Sequence, residues 1–140
     1  AVAKKNNHKT GRVYILVGDG ELNEGMNWEA IMFASSHKLS NITLIIDYNN
    51  LQGLGYSNSI ITLESLENKF KSFGWLVTNT DGHNVMNLIN SFKKKYKKPH
   101  VIIAKTIKGY GLKNYENKIS SHYFTIKNNH ELKKLTKEIR

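Results

Sequence analysis

The sequence predicts an α/β fold, a parallel sheet with helices on both faces, and three observations carry that expectation. Short apolar, β-branched runs alternate with stretches whose apolar residues recur at helical spacing, and such alternation implies βαβ units. The 140 residues, 39% of them hydrophobic, suffice for one domain with a real core and are too few for two. The two most unusual loops, Gly18–Glu24 and Asp47–Tyr56, each begin at the carboxyl end of a strand, where sheets of this kind bind ligands.

Arg12–Val17 reads as a buried strand, ended by Gly18-Asp19-Gly20. From about Asn23 to His37 the spacing of Met26, Ala30, Ile31, Phe33 and Ala34 predicts a helix. Ile42–Ile46 is a second buried strand closed by Asp47, and residues 48–61 read as a long polar loop. Thr62–Phe73 reads as helical, with Leu63, Leu66 and Phe70 on one stripe. Trp75–Thr78 is a third strand. Val85–Lys95 is a helix with Val85, Leu88, Ile89 and Phe92 at i, i+3, i+4 and i+7, stopped by Pro99. Val101–Lys105 is a fourth strand, and a last short helix lies near Glu131–Glu138.

Composition removes several classes. With no cysteine there is neither a disulfide scaffold nor a cysteine-based zinc site. No apolar run approaches the roughly 18 residues of a membrane span, and the N-terminal residues lack the apolar core of a signal peptide, so the expected compartment is the cytosol. The net charge of +10 is uneven: residues 1–92 hold 7 basic and 8 acidic side chains, residues 93–140 hold 14 and 3. Nineteen of the 21 basic residues are lysine, whereas arginine is favoured for bidentate phosphate and base contacts. The run at 93–98 therefore reads as a solvated helix end, and nucleic-acid binding is disfavoured.

The chemistry lies in the two strand-end loops. Gly18-Asp19-Gly20 sets a carboxylate between residues that permit close backbone approach, and the helix behind it offers free N–H groups to an anion. Thirty residues after Asp19, Asn49 and Asn50 end the next strand. One carboxylate, one amide oxygen, a backbone carbonyl and waters form a hard-oxygen set suited to Mg²⁺ or Ca²⁺ together with substrate phosphates. Neither a Walker loop nor a Gly-x-Gly-x-x-Gly fingerprint is present at these loops.

Residues 18–30, Gly-Asp-Gly-Glu-Leu-Asn-Glu-Gly-Met-Asn-Trp-Glu-Ala, closely resemble the thiamine diphosphate motif of transketolases, and Asp47-Tyr48-Asn49-Asn50 resembles its second half. Lys105–Gly111 is similar to the family's loop after a strand, and Glu116-Asn117 with Ser121-His122 is similar to the segment carrying an active-site histidine. The resemblance implies that Asp19, the Asn49 side chain and the Leu51 carbonyl hold Mg²⁺ or Ca²⁺. It implies that Gly18, Asp19, Gly20, Glu21, Asn49 and Leu51 face thiamine diphosphate. By the same resemblance His122 is a catalytic polar or proton-transfer group, and Glu24 and Glu29 are subunit-interface glutamates.

The resemblance also implies that residues 1–140 are one partial thiamine diphosphate-binding domain, an incomplete form of the fold. Ala1–Lys5 reads as the tail of a helix begun earlier, and the C-terminal helix resembles the end of the first chain of a split bacterial transketolase. The expected partner is a second subunit or domain that binds the aminopyrimidine and supplies the activating glutamate, within a homo- or hetero-oligomer acting on sugar phosphates. The chain alone is expected to be inactive. A 2-oxo acid dehydrogenase or deoxyxylulose-phosphate synthase, and a non-catalytic interaction module that kept the fold, remain alternatives at this point.

Overall fold

A computed structural model describes residues 1–93 and 96–139. The elements, in chain order, are α1 (Val2–Asn6), β1 (Val13–Gly18), α2 (Gly25–Ser36), β2 (Ile42–Tyr48), β3 (Leu51–Gln52), β4 (Gly55–Tyr56), α3 (Ser57–Ile60), α4 (Leu66–Ser72), β5 (Leu76–Asp81), α5 (Val85–Lys93), β6 (His100–Lys105) and α6 (Asn129–Glu138). Two 3₁₀ turns, Asp19–Asn23 and Ile119–Tyr123, complete them. Four strands form one parallel sheet in the order β1-β2-β6-β5. Its register pairs Gly18 with Asp47 and Tyr48 with Lys105, which in turn pairs with Asp81, so the carboxyl ends of all four strands emerge side by side.

The sequence explains which strands are central. β6 is apolar from Val101 to Ala104, its first five residues are buried, and it lies between β2 and β5. A strand covered on both faces carries a continuous apolar run, whereas the edge strand β5, with Thr78, Asn79, Thr80 and Asp81, does not. Alternate residues divide the core between the faces. Val17, Ile42, Leu44, Ile46, Val101 and Ile103 pack with Ile31 and Ala34 of α2 and with Leu66 and Phe70 of α4. Trp28 of α2 packs at a tilt against Phe70 and Phe73, with ring centroids 5.7 and 6.0 Å apart. On the opposite face α5 brings Phe92 edge-on to Tyr14 of β1 at 5.8 Å, and Leu88 and Phe92 share a cleft with Leu16 and Ile45.

The alternation of elements and the two-faced architecture agree with the sequence reading, and several boundaries do not. The helix expected from Asn23 starts at Gly25, because Asp19–Asn23 winds into a 3₁₀ turn that buries Leu22. The turn is closed by the Glu21 carboxylate, which accepts the Gly18 N–H at 2.6 Å. The supposed loop 48–61 holds the hairpin β3–β4 and the short helix α3. Helix α4 starts at Leu66 rather than Thr62, since Ser65 is its N-cap and accepts from the Asn68 N–H. β5 spans Leu76–Asp81 where Trp75–Thr78 was expected, and Trp75 turns into the core instead. Positions 94 and 95 of the helix expected over Val85–Lys95 lie outside the described residues.

Candidate functional site

Asp19 stands at the carboxyl end of β1 and is 1% exposed. Its Oδ2 accepts the backbone N–H of Asn50 and its Oδ1 accepts the Ser57 hydroxyl at 3.1 Å. Burial pushes its carboxyl above the ordinary aspartate value, against the opposing effect of the hydrogen bonds from Asn50, Ser57 and Gly20, and the nearby charge of Asp47 pushes it further up. An anion buried with hydrogen bonds alone as compensation is costly, and a bound cation removes that cost.

The loop after β2 is shaped to meet this carboxylate. Asn50 takes a left-handed backbone, φ 58°, a conformation that asparagine tolerates better than most side chains. That bend aims its N–H at Asp19, while its carbonyl accepts the Ser57 N–H at 3.0 Å and its side chain accepts the Asn58 N–H at 3.1 Å. The Asn49 amide oxygen accepts the Leu51 N–H at 3.0 Å, which orients a hard oxygen within the same short segment. Carboxylate, amide and carbonyl oxygens from Asp19, Asn49 and Leu51 are a donor set that Mg²⁺ or Ca²⁺ accepts. The residues therefore fit the cation.

Gly20 also has a packing role within the chain itself. A Cβ on Gly20 would lie 2.7 Å from the Gln52 Cβ, so this glycine admits the β3–β4 hairpin of the chain itself. The Gln52 amide nitrogen is then a buried donor without a protein acceptor among the described residues, which suits an anionic oxygen at this place. The helix that was to supply N–H groups begins at Gly25, and the residues directly behind Asp19 are the 3₁₀ turn.

The hairpin also reaches His122. A Cβ on Gly53 would meet the Tyr123 hydroxyl at 2.7 Å and His122 Nε2 at 3.2 Å. The 3₁₀ turn Ile119–Tyr123 thus lies on the hairpin tip, and His122 is exposed there, with Tyr123 edge-on at 4.8 Å. From the other side, the loop after β6 is pinned to β2: the Thr106 hydroxyl donates to Asp47 Oδ1 and the Thr106 N–H to the Tyr48 carbonyl at 3.2 Å. Between β2, α5 and this loop lies a cleft of about 400 Å³ whose polar wall includes Asp47, Asn49, His83, Thr106 and Lys108.

Comparison with known proteins gives this arrangement its family. Residues 3–139 match the family described as transketolase, thiamine diphosphate binding domain. The chain belongs to the transketolase family. It is 40% identical over 125 residues to the 6-deoxy-6-sulfo-D-fructose transketolase subunit SqwG of Clostridium sp. (strain MSTE9), covering 87% of this chain and 46% of the relative. It is 41% identical over 111 residues to the transketolase of Homo sapiens, covering 79% of this chain and 18% of the human protein. The crystal structure of the Campylobacter jejuni transketolase superposes with a TM-score of 0.82 at 32% identity, covering 94% of this chain and 21% of that one. The chain therefore spans less than half the length of these relatives.

Within this transketolase-family domain, the residues singled out by sequence fall into two groups. Asp19 and Gly20 at the end of β1 meet Asn50 and Gln52 of the segment that carries Asn49 and Leu51, and His122 lies at the tip of the same hairpin. Glu21 caps its own turn. Glu24 and Glu29 lie apart from the cleft, both exposed, at the start of α2 and one turn on, beside exposed Met26 and Phe33. The sequence reading gave no individual role to Asn50, Ser57, Asp47, Thr106 or His83. Asp47 and Asn50 stood in the quoted motif at the end of β2 and Thr106 in the quoted loop after β6, whereas Ser57 and His83 left no trace in the sequence.

Proposed function

We propose that this chain forms the diphosphate- and metal-binding half of a transketolase active site, in an enzyme that moves a two-carbon ketol unit between sugar phosphates. The observation that carries the reading is the buried Asp19 carboxylate gripped by Asn50, with Asn49 and Leu51 next in the chain. Asp19, the Asn49 amide oxygen and the Leu51 carbonyl would hold Mg²⁺, and Gln52 would donate to the diphosphate beside Gly20. Thiamine diphosphate supplies the carbanion chemistry when bound, and the protein supplies position and protons. His122, exposed on the hairpin tip, would hold or pass a proton at Nε2 toward a substrate hydroxyl or phosphate.

The partner would be a second subunit that binds the aminopyrimidine and completes the site. Two relatives support this: the SqwG protein and the 36% identical apulose-4-phosphate transketolase protein of Actinobacillus succinogenes are each described as one subunit of a transketolase. On α2 the exposed Met26, Ala30 and Phe33 follow one another at helical spacing with Glu24 and Glu29 beside them, a surface suited to that contact. No helix among the described residues is long and apolar enough to cross a membrane, and we place the enzyme in the cytoplasm.

Calorimetric titration with thiamine diphosphate tests the half-site. Binding in Mg²⁺, absent in EDTA and weakened at least about tenfold in Asp19→Ala and Asn49→Ala, is the expected result. Equal binding by both variants would remove the metal assignment. Assay of the assembled subunits with a ketose phosphate and with pyruvate then tests the reaction, and turnover of pyruvate instead would overturn the ketol transfer.

A further inference from the structure

We infer that His83 is a positioning residue, which holds the loop after β6 through a neutral imidazole and so fixes one wall of the cleft at the strand ends. Three contacts locate it. Its backbone N–H donates to Asp81 Oδ1 at 2.9 Å, which roots the residue at the end of β5. Its ring stacks on Tyr110 with centroids 3.7 Å apart and planes at 21°. Its Nε2 accepts the backbone N–H of Ile107 at 2.7 Å.

The third contact has a chemical consequence. A ring nitrogen that accepts an N–H carries no proton of its own, so the imidazole is neutral and its proton is on Nδ1. Ile107 lies just beyond the last paired residue of β6, and this side chain takes the place of a neighbouring strand as its acceptor. Both ends of the loop are held independently of His83. Thr106 is tied to Asp47 and Tyr48, and further along Asn117 donates to the Lys108 carbonyl at 3.0 Å and Gly111 to Glu116 Oε1 at 3.0 Å. His83 therefore holds Ile107 by hydrogen bond and Tyr110 by stacking, on either side of Lys108 and Gly109, which line the cleft with Asn49.

The consequence for binding rests on the proposed function, because it supposes that the cleft serves the cofactor half-site. Loss of the acceptor would free the Ile107 amide and loosen the turn from Ile107 to Tyr110, shifting Lys108 and Gly109 within the cleft while Asn117 still holds the Lys108 carbonyl and the sheet stays folded. Three measurements separate the latch from that reading. Nitrogen chemical shifts of the His83 ring in the 140-residue chain, at mildly alkaline pH, report the tautomer directly. Hydrogen exchange of the Ile107 amide, in the wild type and in His83→Phe, reports the contact. Titration of both proteins with thiamine diphosphate in Mg²⁺ reports the effect on the site.

The expected results are a bare Nε2 with Nδ1–H, Ile107 exchange faster by about tenfold in His83→Phe, and cofactor affinity reduced several-fold at unchanged helix content. His83→Gln, which keeps a side-chain acceptor, is expected to regain part of the protection. A proton on Nε2, or Ile107 exchange unchanged in His83→Phe, would overturn the latch even if the variant folded poorly, because the tautomer is read on the wild type. A freed amide with unaltered cofactor affinity would overturn the positioning role. Failure of the wild type to bind the cofactor at all would count against the half-site and against its link to His83, while the tautomer and exchange would still judge the contact.

Discussion

Asp19 shows how a single side chain can be set against the stability of its own fold. Its burial disfavours the charged form, and hydrogen bonds from Asn50, Ser57 and Gly20 oppose that cost. Asp19→Asn removes the charge and keeps the shape. The asparagine carbonyl can accept the Asn50 N–H, and its NH₂ can donate to Ser57, whose hydroxyl rotates to accept. The metal-free Asp19→Asn chain is therefore expected to melt no lower than the wild type, while Mg²⁺-dependent binding of thiamine diphosphate is lost. Scanning calorimetry without metal and titration with it make the comparison, and a large drop in melting temperature would show that the carboxylate is structural. Asp19 was legible in the sequence because Gly-Asp-Gly is local. Ser57 was not, since its contact spans 38 residues and depends on the hairpin that returns it.

Among the elements, α4 is joined to the sheet by a link whose strength depends on acid. The Glu67 carboxylate pairs with Lys71 one turn on, at 2.5 Å, and accepts the Asn79 amide of β5 at 2.6 Å. The hydrogen bond and charge of Lys71 and the amide of Asn79 hold its carboxyl below the ordinary value of 4.5. A folded-state value lower than the unfolded one means that the contribution is present above 4.5 and disappears as pH falls through the lowered value. Glu67→Gln is thus expected to melt slightly lower than the wild type near neutrality, with the gap closing on acidification and narrowing in high salt. Melting curves across that range decide it, and a constant gap would assign the effect to packing. Helical periodicity revealed α2, α4 and α5, but the 3₁₀ turn at Asp19–Asn23 and the β3–β4 hairpin went unread. Both are set by close approaches, Gly20 to Gln52 and Gly53 to Tyr123, and these are properties of the folded chain.

For the whole molecule, the order of elements was written in the sequence, whereas the order of strands was not. β6 enters between β2 and β5 because it is the most continuously buried strand, and this leaves β1 and β5 at the edges. β5 suits an edge, with its polar second half, but β1 does not. Leu16 is 70% exposed and Tyr14 and Ile15 are about half exposed, on a strand that has no neighbour on its outer side among the described residues. An apolar edge of this kind templates pairing with another chain, since natural edges are commonly protected by charge or proline. The isolated 140-residue chain is therefore expected to self-associate with rising concentration. Leu16→Lys places a charge on that edge, forfeits the roughly 1.5–3 kcal/mol that burying a leucine side chain contributes to an interface, and should shift the population to monomer. Because Leu16 is exposed in the monomer, the melting temperature should change little. Sedimentation velocity over a concentration series separates the outcomes. Association that survives Leu16→Lys would move the contact to the exposed face of α2, where Met26 and Phe33 lie beside Glu29.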